Sequence, residues 1–178
     1  MGGWSERKGR WEVMEEKQPR YDLDGYDLLT AALMELLNRF PRLFDGDKIE
    51  FSTLDAESGK AMFPISGAIV ETETMDITGE VEQVCRYPFF IVSRASGVSE
   101  QHKENMKEWL DDLGRWLERQ PIIVDGIQTQ LDRYPSLSGR RRFLSIERQT
   151  PAYLDNTEDK TEDWAIYITA RYSNEFTK

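Results

Sequence analysis

The sequence predicts an α+β fold: a mostly antiparallel sheet with two amphipathic helices packed on one face, in the order α-β-β-β-α-β-β. Three observations predict it. Two segments repeat apolar residues at helical spacing, Leu29–Ala32–Leu33–Leu36–Phe40 and Met106–Trp109–Leu110–Leu113–Trp116–Leu117. Other segments alternate with the period of a strand, as in Trp164, Ile166, Ile168 and Ala170. Strands follow one another in runs that only two helices interrupt, unlike an alternating βαβ chain. A length of 178 residues suits one domain, here residues 21–178, preceded by an arm of residues 1–20.

The arm is polar and charged without a sustained period, broken by Trp4, Trp11, Val13 and Met14. It reads either as a frayed end or as an arm that docks its tryptophans on a neighbour. The first helix is expected over 24–39. Asp24 is placed as N-cap, Leu23 and Leu28 as a hydrophobic staple, and Phe40-Pro41 as the stop, because proline disfavours helical geometry in its predecessor.

Strands are expected at 48–54, where Ile49, Phe51 and Thr53 alternate with polar residues, and at 61–75, bent by Pro64 and Gly67. A third, 80–93, should form a hairpin with its predecessor across Gly79, with Pro88 marking an edge or a bulge. The second helix opens near Ser99 and closes before Pro121, its wet face carrying Lys103, Glu104, Asp111, Asp112, Glu118 and Arg119. In the last third, 141–148 alternates Leu144 and Ile146 on one face with Phe143 on the outer parity, and 164–172 closes the sheet. The acidic stretch between these two strands reads as a long hairpin loop.

Composition narrows the function. Hydrophobic residues make up 39% and aromatics 11%, too apolar for a disordered chain. No apolar run spans a bilayer and no signal core opens the chain, so a soluble protein outside the usual secretory route is expected. A net charge of −10 runs against duplex binding, which needs cations to displace counterions. A single cysteine, Cys85, leaves no disulfide within the chain and no thiolate zinc cage, and reads as a small buried hydrophobe. The single histidine, His102, belongs to the first turn of the second helix; its HxE spacing lacks the paired thiolates of a nucleobase deaminase. No phosphate loop, dinucleotide fingerprint, zinc-protease or nucleophile-elbow motif is present. No cofactor, metal or catalytic residue is therefore expected.

Two charged clusters remain. Asp155, Glu158, Asp159, Glu162 and Asp163 form an acidic loop; Lys160 stands where a calcium loop needs glycine, so a solvated hairpin tip is expected. Arg140, Arg141 and Arg142 are the one compact basic cluster, at a strand entrance where alternation sends neighbours to opposite faces. They are read as solvated, with pairing to an acidic loop of an adjacent subunit ahead of DNA contact.

The stretch YDLLTAALMELLNRFP, then KIEFSTLD, the hairpin to YPFFIVSRAS, EQHKENMKEWLDDLGRWLERQP, and the closing pair RRFLSIERQTPAYL and WAIYITARYSNEF resemble the tail terminator (minor capsid-type) proteins of phages and phage-like bacteriocins of Gram-positive bacteria. The resemblance covers Tyr26 to Phe176. It implies a non-enzymatic virion component: a hexameric ring that caps the tail tube, ends its polymerisation and offers a joining surface for neck or head-connector proteins and the sheath. The implied place is the tail–neck junction, reached by assembly in the bacterial cytoplasm, with DNA only passing through the channel and no membrane contact.

Ring closure needs a heterologous interface, one patch meeting a different patch on the next copy. Candidate contacts are Trp4, Trp11, Pro88, Phe89, Arg140, Arg141, Arg142 and Tyr153. Six copies carry about −60, and acidic residues facing the channel, from the 155–163 loop or from the first helix, let DNA slide. Another neck or head-completion ring protein is the nearer alternative. A carboxylate-dependent hydrolase is the distant one, since a working pair needs split environments.

Overall fold

The structure is a computed structural model describing residues 3–7, 10–14, 18–158 and 160–178, with side chains from residue 18 onward. Two strands, β1 (Gly3–Arg7) and β2 (Arg10–Met14), pair antiparallel as a ribbon. Helix α1 (Leu23–Leu37) follows, then β3 (Ile49–Phe51), β4 (Gly59–Pro64), β5 (Ile69–Met75) and β6 (Glu80–Ser96). Helix α2 (Glu100–Leu117) leads to β7 (Ile122–Val124), β8 (Ile127–Thr129), β9 (Arg141–Arg148), β10 (Tyr153–Glu158) and β11 (Thr161–Thr177). The α+β class holds, with a seven-stranded sheet in which β3–β4 is parallel and every other pairing antiparallel.

The sheet is built on β6 and β11, each 17 residues long and paired along their whole length from Thr161↔Ser96 to Thr177↔Glu80. β9 and β10 share the outer side of β11, while β4 and β5 share the outer side of β6. Cys85, Tyr87, Phe89 and Ile91 of β6 stand in register with Tyr172, Ala170, Ile168 and Ile166 of β11, and all eight are fully buried. Both helices lie over this one face. Tyr26 of α1 packs on Tyr87 with ring centroids 5.7 Å apart, and Gly114 of α2 lies over Ile166. The expected stripes, Leu29, Leu33 and Leu36 and then Met106 to Leu117, supply the helical half of the core. Phe40 sits edge-on to Trp109 at 5.3 Å and joins the end of α1 to α2.

Several expectations change. The N-cap of α1 is Asp22, not Asp24: its Oδ1 accepts from Gly25 N at 3.0 Å. Leu23 becomes the first helical residue and is 81% exposed, so it staples nothing. Asp22 wins because Arg141 and Tyr172 also bind it, partners no local pattern reveals. The bent 61–75 strand is two strands, β4 and β5, separated by residues 65–68. Pro88 marks neither an edge nor a bulge of its own strand. It sits in central β6 opposite that gap, where its carbonyl accepts from Ile65 N and no ladder bond needs the proline's missing N–H.

Phe143 faces the core rather than outward, because the register slips between Arg171↔Ser145 and Tyr172↔Phe143 and Leu144 bulges out of the ladder. Asp111 and Asp112 leave the wet face of α2. Asp111 accepts from Ala152 N at 2.8 Å, Asp112 pairs with Arg42 and Arg115, and both are buried. The ribbon β1–β2 and the small hairpin β7–β8 add strands to the expected order. The second was legible: Asp125-Gly126 between IIV and IQT takes positive φ at both residues (50° and 76°), the geometry of a tight hairpin turn.

Candidate functional site

The helices cover one face of the sheet; the other carries an aromatic centre. Phe90 and Tyr167 stack at 5.2 Å, with Phe63 in register beside Phe90. Together with Leu54, Val92 and Ala165, Phe63 and Phe90 line a cavity of about 270 Å³ whose rim holds Arg94, Asp155 and Asp163. Arg94 is fully engaged. Its Nε and Nη2 donate to Asp163 at 2.7 and 2.8 Å, and Nη1 donates to the Asp55 carbonyl at 3.1 Å. The Asp163 carboxylate holds the guanidinium above its ordinary pKa.

The sheet edges are treated unequally. A free edge strand is a template for another chain, and proteins block those they do not use. On β3, the Asn38 amide accepts from Ile49 N at 2.9 Å and donates to Ile49 O at 3.1 Å. On β9, Ile146 N donates to the Tyr134 hydroxyl and Arg148 N to Glu118 Oε1. The start of β5 is taken by residues 20–22: Val70 N donates to Arg20 O and Asp22 N to Ala68 O, both at 2.9 Å. Among the described residues, no side chain caps the backbone of 153–157 in β10, nor of 71–75 in β5.

The expected contact residues separate accordingly. Phe89 is withdrawn: it is 0% exposed beneath the helices, since odd positions of β6 face the core. Pro88 is buried on the opposite face of central β6. The arginine triplet does alternate, but only Arg142 stays fully solvated. Arg141 is consumed by Asp22, 2.7 Å away, which holds it above its ordinary pKa; Arg140 reaches Glu80 at 2.9 Å and Glu175 at 3.3 Å. Tyr153 opens β10, half-buried opposite Ala165, and burial pushes its hydroxyl up. The ribbon register sets Trp4 against Val13 and Trp11 against Glu6; the side chains of Trp4 and Trp11 lie outside the described residues.

The acidic stretch is a β-hairpin with residues 154–158 exposed, and its returning strand carries the acids that are not solvated. Asp163 is buried against Arg94, and Glu162 meets Lys103 at 3.1 Å, which raises the lysine. Asp155 and Glu158 are exposed and form no ion pair among the described residues; Asp159 lies outside them. The strand character of 153–158 escaped sequence reading because its polar run, LDNTE, lacks apolar alternation; its order comes from pairing with β11.

Among the carboxylates with a shifted pKa, Asp22, Glu73, Asp76, Glu80 and Glu118 all lie below the ordinary value. Among the described residues, no three His, Cys, Asp or Glu side chains converge to hold a metal ion, and no helix is long and apolar enough to cross a membrane. No protein-family model and no curated protein matches the chain.

Proposed function

We propose that this chain is a structural assembly protein of the tail terminator type, forming a hexameric ring that caps a tail tube, ends its polymerisation and offers the joining surface for neck or head-connector proteins. The reading rests on the sequence resemblance over Tyr26–Phe176. One structural observation carries its assembly side: the selective capping of sheet edges. Asn38, Tyr134 and Glu118 block two of them, while β10 and the far half of β5, on opposite sides of the sheet, are left uncapped among the described residues. A heterologous ring contact requires two different patches on one chain, and an uncapped strand edge is a natural one.

The carboxylates favour this reading over a hydrolase. A general acid needs a carboxyl kept protonated near neutral pH, and among the described residues each carboxyl with a shifted pKa is lowered. The channel-facing role fits α1, whose Asp24, Asp27 and Glu35 are exposed, and leaves the β10–β11 hairpin to contacts between copies.

The test is the native mass of the full chain, alone and with tail-tube protein. A six-fold assembly that binds the tube end is expected, and a single chain under both conditions overturns the reading. Co-purification with portal protein instead of tube protein would move it to the neck.

A further inference from the structure

We infer that the corner made by β10 and the sheet face opposite the helices seats the Gly3–Met14 ribbon of a second copy of this chain. The inference rests on the ring reading above and says what joins one copy to the next. Three features of the corner converge. β10 offers an uncapped strand edge among the described residues. The cavity lined by Leu54, Phe63 and Phe90 lies beside it and suits a large apolar side chain. The rim is anionic: Asp163 neutralises Arg94, and Asp155 on the rim and Glu158 further along β10 are exposed and form no ion pair among the described residues.

The ribbon supplies the complement. In a chain of net charge −10, its sequence carries Arg7, Lys8 and Arg10, a second basic group besides the arginine triplet, between Trp4 and Trp11. The register places Trp4, Glu6, Trp11 and Val13 on one face of the ribbon, so both tryptophan positions share a side. A two-stranded ribbon is marginal in water and gains stability by laying an apolar face on a surface.

Chain length selects a second copy. Arg20 lies beside Val70, at the level of Cys85 on β6, while β10 pairs at the level of Arg94 on the far side of β11. Strand rise and spacing put these points about 35 Å apart. The six residues from Met14 to Arg20 reach about 21 Å at full extension. Even fully extended, the ribbon of the same chain starts about 14 Å short of β10 and brings only its tip there, whereas that of a neighbour is free to lie along the strand. Arm on one side and corner on the other make the contact heterologous, as ring closure demands.

The test uses two full-length proteins. One carries Arg7→Glu, Lys8→Glu and Arg10→Glu; the other carries Asp155→Lys and Glu158→Lys. Each alone should fall from the assembled mass to the 20.8 kDa of one chain. An equal mixture should reassemble, since each acidic arm then meets a basic corner and each basic arm an acidic one. A chain carrying all five changes should assemble by itself. Wild-type assembly that both variants retain overturns the arm contact and leaves the ring standing; a wild-type protein that stays single with and without tube protein sinks both. Oxidation of a Trp11→Cys/Asp155→Cys protein should link chain to chain, and closure within one chain also overturns the inference.

Discussion

Arg141 grips Asp22 across 119 residues of sequence, with Nη2 at 2.7 Å from Oδ1 and Nε at 3.0 Å from Oδ2. The same carboxylate caps α1 through Gly25 N and accepts from the Tyr172 hydroxyl at 2.7 Å, so helix, β9 and β11 meet at one buried anion. Gly25 makes this approach possible: a Cβ there would lie 2.5 Å from Asp22 Cγ and 2.6 Å from Tyr172 Oη.

Replacing Asp22 with Ala should cost about 3 kcal/mol or more, because it strands a partly buried guanidinium and removes a cap. Urea unfolding measures it. Arg141→Met combined with Asp22→Leu should recover part of the loss, since no charge is then left unpaired.

Acid should loosen the fold. Burial alone would raise the Asp22 carboxyl, but hydrogen bonds from Arg141, Tyr172 and Gly25 N outweigh it and hold it below its ordinary value. Glu73 is held at about 2 by hydrogen bonds from Gln83 and Arg20. Carboxyls lowered by folding stabilise above their unfolded pKa, and that stability is lost as pH falls through the folded one. Unfolding midpoints should hold near neutrality and decline from about pH 5 downward. The Asp22→Ala protein should show a shallower decline.

Gly114 of α2 lies against Arg148, where an added Cβ would approach Cγ at 2.5 Å and Ile166 Cδ1 at 3.1 Å. Glu118 holds that guanidinium through Nε at 2.8 Å and Nη2 at 3.0 Å, so it has little room to yield. Gly114→Ala should destabilise by about 1–3 kcal/mol despite the better helix former. In an Arg148→Ala background the same change should become neutral or stabilising, and thermal unfolding of the four proteins gives the coupling.

Cys85 should resist thiol reagents in the native state. It is fully buried in β6, and burial pushes its thiol up to about 11. Labelling at mildly alkaline pH should track global unfolding; fast labelling of the folded protein would contradict this placement.

Asn38→Ala should uncap β3 at Ile49 and cost about 1–3 kcal/mol. Hydrogen exchange at the Ile49 amide should accelerate well beyond that of amides in β6. Equal protection in both proteins would show that the cap does not seal the edge.

Periodicity carried the helices and the long strands because burial on one face imprints a repeat on the chain. The stripe from Met106 to Leu117 and the alternation from Trp164 to Ala170 needed no partner to be read. Where one residue breaks a repeat, the reading inverted: the Leu144 bulge turned Phe143 inward, and the gap between β4 and β5 accommodated Pro88 in a central strand.

The candidate site was legible only as composition. The acidic stretch and the arginine triplet were visible, but which charges remain available was not, because ion pairs form between residues far apart in sequence, as in Arg94–Asp163 and Arg141–Asp22. The sequence by itself determined the class of fold, the two core stripes and the burial of Cys85, since hydrophobic patterning is a local record of one-sided burial. Only the tertiary structure decided which edges are sealed, which carboxylates are spent and which face the helices cover, since those depend on long-range partners that no local spacing encodes.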